Sequence, residues 1–434
     1  MSTELRYMSA DDAVKLIKSN DNVFVQGSGS APVVLMEALA KRAHELENVK
    51  FYNSIALAKG PFPLCKPECK DAFHFDSFFV SNGVRKWVNE GYASTTPRFF
   101  GQVPQLFRDG TIPLDVALIN CSLPNKDGYV SFGVSADLTP SAVECAPIII
   151  AQINPYMPFT YGDSVIHTSR ITAMVEANDP LAEIIPGFPS EDEMRIGRFI
   201  AEQVPDGATL QIGIGNIPNA VLTSLTSHKH LGLHTEAVTD SMVPLIESGV
   251  IDNSMKQIER GRSVGSLAIG SRRLYDYLDY NSNFIFRDIA WVNDPFVIAQ
   301  NNKMVAINSC IEVDLSGQIC SDSIGTRIYS GVGGQFDFVY GASRSEGGQS
   351  FIAMLSKTSK GENKIKPVLT PGAGVVTPRY SANWIVTEYG AVNLRGRNLV
   401  DRARLLISIA APEFREELDR EAFKMLGYAY RKWI

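Results

Sequence analysis

The sequence predicts an α/β protein made of two similar halves, each with a largely parallel sheet, and with an active-site cleft between them. Three observations carry that prediction. An apolar strand followed by Gly-x-Gly-x-x-Pro and a helix occurs twice, as Val23-Phe24-Val25-Gln26-Gly27-Ser28-Gly29-Ser30-Ala31-Pro32 and as Leu210-Gln211-Ile212-Gly213-Ile214-Gly215-Asn216-Ile217-Pro218. The two copies lie 186 residues apart in a chain of 434. Further on, Ala117-Leu118-Ile119-Asn120-Cys121 is answered in the same order by Val305-Ala306-Ile307-Asn308-Ser309, and each is followed by a turn glycine, Gly128 and Gly317.

Each repeated unit has a physical reading. A short apolar run is what a strand buried on both faces requires. Glycines let the chain turn sharply and let a ligand approach the backbone. Pro32 and Pro218 suit the start of a helix, where no N–H is needed. Strands alternating with helices point to parallel pairing. The boundary between halves is expected near Pro186-Gly187-Phe188-Pro189, which breaks regular structure. This gives domains 1–188 and 189–434, the second carrying the candidate nucleophile. Ser190 with Glu193 three residues on predicts a capping box. A C-terminal helix is expected from Pro412, packing Phe414, Leu418, Ala422, Met425 and Leu426 against the core.

Composition narrows the class. The chain is 45% hydrophobic and 20% charged, too long for one ordinary core and typical of a folded globular protein. With 41 basic against 47 acidic residues, net −6, there is no basic run suited to a nucleic-acid backbone. The apolar runs are strand-sized, which argues against a membrane span, and the first residues lack the apolar stretch of a signal peptide. Six cysteines are sparse for this length and fit a reducing cytoplasm better than a disulfide scaffold.

Four segments could carry chemistry. Gly213 to Asn219 is neither a dinucleotide fingerprint, because Pro218 replaces the third glycine, nor a P-loop, because no Gly-Lys-Ser/Thr follows. It leaves a helix N-terminus able to bind an anion, or a plain structural turn. Leu233-His234-Thr235-Glu236 places a carboxylate where a strand should end, at the crevice side of an α/β sheet, although Glu236 or Asp240 could instead cap the next helix. Trp384-Ile385-Val386-Thr387-Glu388 repeats that pattern, with Arg395 nearby as a possible partner. Ser330 to Phe338 is glycine-rich and suits either a backbone close to a ligand or a bend. His228, His230 and His234 lack acidic or cysteine partners at ligand spacing, so no metal site is expected. Cys65 and Cys69 form a lone pair better explained by packing. No Gly-x-Ser-x-Gly elbow is present.

Taken together, these motifs resemble the acetyl-CoA hydrolase/transferase family, the class I CoA transferases. The resemblance rests on Gly213-Ile214-Gly215-Asn216-Ile217-Pro218-Asn219-Ala220-Val221, His234-Thr235-Glu236, Asn293-Asp294-Pro295, Gly331 to Phe338, and Thr387-Glu388-Tyr389-Gly390, in that order over nearly the whole chain. It implies that Glu236 is the nucleophile, with Asn293 and Glu388 near the reacting carbonyl. It implies an oxyanion hole from the amides of Ile217 and Gly334. The CoA-binding residues would be Gly213, Gly215, Asn216, Ile217, Pro218, Asn219, Gly333 and Gly334. Coenzyme A would be a substrate and covalent intermediate, with no tightly bound cofactor. Partners would be acyl-CoA and short-chain carboxylates, within a cytoplasmic homodimer. The acyl group favoured is 4-hydroxybutyrate with acetyl-CoA; butyryl-CoA with acetate, and simple acyl-CoA hydrolysis, are the alternatives.

Overall fold

A computed structural model describes residues 7–57, 62–185 and 187–432. Seven strands form the first sheet: β1 (Asn22–Val25), β2 (Val49–Ile55), β3 (Phe73–Phe79), β4 (Ala93–Ser94), β5 (Val116–Cys121), β6 (Ile148–Ile153) and β7 (Ala173–Glu176). They lie in the order β4-β3-β2-β1-β5-β6-β7, and every neighbouring pair is parallel. The second sheet contains β8 (Thr209–Ile212), β9 (Gly232–Leu233), β10 (Met304–Ser309), β11 (Gln349–Ala353), β12 (Trp384–Thr387) and β13 (Gly390–Asn393). Its order is β9-β8-β10-β11-β12-β13, parallel except for the closing hairpin of β12 with β13.

The internal echo is visible in the register. Val25 pairs with Leu118 in the first sheet, and Gln211 pairs with Ala306 in the second. These are corresponding positions of the two repeated segments, so each repeat forms the same central strand pair. Burial on both faces explains why β5 and β10 are almost uninterrupted apolar runs.

Helix α1 (Val33–Ala40) follows directly on Pro32, and helix α2 (Glu191–Ala201) opens with the expected capping box between Ser190 and Glu193. Pro218 is the third residue of helix α3 (Asn216–Ser224), still among positions that need no N–H partner. The expected break falls partly outside the described residues, at Pro186; Phe188 beside it is almost fully exposed. Apolar packing does not stop there. Val134, Ala136, Met157 and Leu181 share a core with Leu210 and Ile212, and Ala237, Leu267 and Ile289 share another with Phe24 and Phe78.

The C-terminal helix runs Pro412–Lys432 across a kink at Gly427. Leu418 and Ala422 are buried, and Phe414 and Leu426 pack at the edge of the same core. Met425 corrects the expectation: it shares the Leu418–Ala422 stripe, yet it is 47% exposed because the stripe there borders an open hollow, lined also by Val368, Leu369 and Leu399, instead of the core. Among the described residues, no helix is long and apolar enough to cross a membrane.

Candidate active site

Glu236 lies three residues beyond the end of β9, in a connection that the backbone fixes tightly. The His234 N–H donates to the Leu210 carbonyl and the Thr235 N–H to Val264, while the Glu236 carbonyl accepts from both Ser266 and Leu267. His234 is fully buried and its Nε2 meets the Val292 carbonyl at 2.8 Å. Burial pushes this imidazole down to about 3, so it is neutral and Nε2 carries the proton that makes this bond. His234 thereby ties the Glu236 segment to the residue preceding Asn293.

That tie brings the two polar groups together. Asn293 follows helix α4 (Ile289–Val292), is 1% exposed, and donates from Nδ2 to Glu236 Oε2 at 2.7 Å. Burial pushes the Glu236 carboxyl up to about 7, against the opposing effect of this hydrogen bond and with a smaller contribution from the Asp137 carboxylate.

Glu236 opens into a cleft of about 330 Å³. Gly213 and Ile214 line one side, Gly331 to Gln335 another, and Phe79 comes from the first sheet. Glu236 is the one carboxylate among the described residues of the lining. Cys310, also in the wall, has its thiol pushed up to about 12 by burial and stays protonated.

The glycine-rich run is fixed by what it touches. A Cβ on Gly331 would stand 2.9 Å from the Phe78 carbonyl oxygen, and the Gly333 carbonyl accepts from the Phe100 N–H at 3.1 Å. Gly333 has φ +57, a conformation that favours glycine. The next residue, Gly334, comes closest to Glu236. A Cβ there would lie 2.1 Å from Glu236 Oε2 and 2.3 Å from Asn293 Nδ2. Its backbone is therefore laid directly on the carboxylate–amide pair, and helix α5 (Gln335–Arg344) starts from it.

The remaining expected residues are distributed as follows. Gly213 reaches the cleft, whereas Gly215, Asn216 and Asn219 line a separate, smaller depression beside Ile184 and Ile185. Gly215 has φ +127 and serves the sharp entry into α3. Ile217 and Pro218 line neither hollow, and Asn219 accepts a hydrogen bond from Ser241. Glu388 is 8% exposed just past β12 and accepts from the Ser356 N–H at 2.8 Å and the Ser356 hydroxyl at 2.5 Å. It lines neither the Glu236 cleft nor the cavity behind Asn293. Arg395 is exposed and forms no ion pair among the described residues. The three histidines diverge: His228 faces the Ala201 and Val204 carbonyls, His230 meets Asp252, and His234 meets Val292.

Two residues at the site carried no assigned role in the sequence. Asp337 lies inside the quoted glycine-rich motif, yet its partner Asn293 is 44 residues away. Gly101 lies in the first half and donates its N–H to Asp337 at 3.2 Å. A buried aspartate three residues after a glycine pair was the available signal for the first; nothing local marked the second.

Comparison with known proteins gives the family. The acetyl-CoA hydrolase/transferase N-terminal domain matches residues 3–186, and the C-terminal domain of the same family matches residues 270–422. The chain belongs to the acetyl-CoA hydrolase/transferase family. It is 45% identical over 423 residues to a succinyl-CoA:acetate/propanoyl-CoA:succinate CoA transferase of Fasciola hepatica, covering 96% of this chain and 88% of the relative. It is 43% identical to a 4-hydroxybutyrate coenzyme A transferase of Clostridium kluyveri, covering 96% and 97% respectively. The crystal structure of RipA from Yersinia pestis superposes with a TM-score of 0.92 at 34% identity, covering 97% of this chain and 98% of that one.

Proposed function

We propose that this protein moves CoA from an acyl-CoA to a free short-chain carboxylate through Glu236, with 4-hydroxybutyrate and acetyl-CoA as the favoured pair, acting as a homodimer. CoA transfer is the reaction class that family membership supports. The observation that carries the covalent route is the single carboxylate among the described residues of the cleft, held at 2.7 Å by Asn293 beneath the backbone of Gly334.

In this reading a Glu236 oxygen attacks the thioester carbonyl, the C–S bond breaks, and CoA leaves as thiolate. The product is a mixed anhydride. The thiolate then attacks the glutamyl carbonyl, the anhydride C–O bond breaks, and the first acid departs as its carboxylate. Glu236 is left as a CoA thioester, and an acceptor carboxylate runs the sequence backwards. No net proton or electron is exchanged. This is nucleophilic catalysis with ping-pong kinetics. A carboxylate is a weak nucleophile in water, so burial of Glu236 raises its reactivity, and backbone N–H groups of the glycine-rich loop are suited to the oxyanion. Each such donor is typically worth about 3–4 kcal/mol of barrier.

Trapping tests the route. Borohydride reduces thioesters but spares free carboxylates. Incubation with acyl-CoA and no acceptor should make the enzyme sensitive to borohydride, an acceptor acid should protect it, and peptide mapping should find the reduced residue at Glu236. Exchange without acyl-CoA-dependent inactivation would refute the covalent intermediate. A donor panel of 4-hydroxybutyryl-, butyryl- and acetyl-CoA ranks the substrates.

A further inference from the structure

Asn293 has two Nδ2 hydrogens and two carboxylates to receive them. Glu236 Oε2 lies at 2.7 Å and Asp337 Oδ2 at 3.4 Å from the same nitrogen. An amide turned the other way would point its oxygen at both carboxylates, so the pair fixes its orientation. Asp337 is 4% exposed, sits in the first turns of α5, and is itself held by the Gly101 N–H at 3.2 Å. Gly101 also packs onto Asn293: a Cβ on it would stand 2.9 Å from the Asn293 Cβ. Behind this contact lies a second cavity of about 660 Å³, in which Asn293 and Asp337 are part of the wall.

We propose that Asp337 is a positioning residue for the nucleophile: by accepting one Nδ2 hydrogen of Asn293 it aims the other at Glu236. The inference rests on the reading of Glu236 as the group that attacks. It also has an electrostatic consequence. Glu236 and Asp337 are like charges on either side of one amide, and Asp294 adds a third; Arg98 and Arg108 line the cavity on the Asp337 side, with Arg108 engaged by Glu144 and Asp288. Burial first, and Glu236 next among the charges, push the Asp337 carboxyl up to about 7. An ionised Glu236 therefore makes Asp337 harder to ionise, while the carboxylate that raises Glu236 is Asp137.

The test uses Asp337→Asn and Asp337→Ala in the full chain, with kcat/KM for acyl-CoA followed from pH 5 to 9 and folding checked by circular dichroism. Asparagine can still accept from Asn293, so the Asp337→Asn plateau should stay within about fivefold of wild type, while alanine should lower it roughly 10- to 100-fold, as loss of a bond to a charged group does. A wild-type plateau in Asp337→Ala overturns the proposal. So does an Asp337→Asn plateau far below the fivefold limit, and that measurement decides the matter if the alanine variant fails to fold. Failure of the Glu236 reading is recognised separately: Glu236→Ala would then retain exchange, whatever the Asp337 variants do.

Discussion

Replacing Gly334 by alanine tests the geometry at its tightest point. The backbone there has φ −96 and ψ 5, which an alanine adopts at little cost. The added methyl is the whole perturbation. It would arrive 2.1 Å from Glu236 Oε2, 2.3 Å from Asn293 Nδ2 and 3.2 Å from the Glu236 carboxyl carbon. Ordinary carbon–oxygen contact needs about 3.5 Å, so the carboxylate and the amide must retreat by more than 1 Å. Both are side-chain ends, so they can give way without moving the sheets. Misplacing a reacting group by about 1 Å costs on the order of 100-fold in rate, which corresponds to about 2.7 kcal/mol. The expected result is therefore an exchange kcat at least about 100-fold below wild type, with a folded protein and a melting temperature within a few degrees of wild type. CoA exchange in a coupled assay and a thermal melt measure the two. An alanine variant within threefold of wild-type rate would refute the claim that the missing side chain at 334 makes room for the nucleophile. A variant that cannot fold would refute the claim that only movable side-chain ends are displaced.

Other consequences concern the remaining carboxylates. The Glu236 carboxyl is raised to about 7 from an ordinary value near 4.5. The folded protein then holds this proton more tightly than the unfolded chain, so the group costs nothing below about pH 4.5 and destabilises increasingly up to about pH 7. Glu236→Gln should abolish exchange, and its melting temperature relative to wild type should be higher at pH 8 than at pH 5; the reverse order would contradict the assigned burial. Glu388→Gln keeps an acceptor for Ser356 and should lower exchange only partially. Glu388→Ala strands the buried Ser356 N–H and hydroxyl and should cost about 1–3 kcal/mol in urea unfolding, so an unchanged midpoint would refute that support role.

Glu236 and the loops around it were legible because their signals are local. A strand ending in a carboxylate, a glycine run and a helix entry each occupy a few consecutive residues, and period and turn chemistry are enough to find them. The same locality explains two readings that needed the structure. Met425 fits an apolar helical pattern, but how far along that stripe the core extends depends on how the helix docks. The Gly213 to Asn219 segment reads as one binding element, yet the fold divides it between the Glu236 cleft and the depression beside Ile184.

By itself the sequence determined the α/β class, the two matched halves and the identity of Glu236 as the carboxylate to examine. Repetition of a strand–turn–helix unit is written into the chain, and each unit answers to its own burial and its own glycines. What only the tertiary structure decided is the company Glu236 keeps. Its bond to Asn293 spans 57 residues, and that of Gly101 to Asp337 spans 236. No periodicity encodes such meetings. They depend on where two sheets, a buried histidine and a glycine-rich loop come to rest, and so on the packing of cores that both halves share.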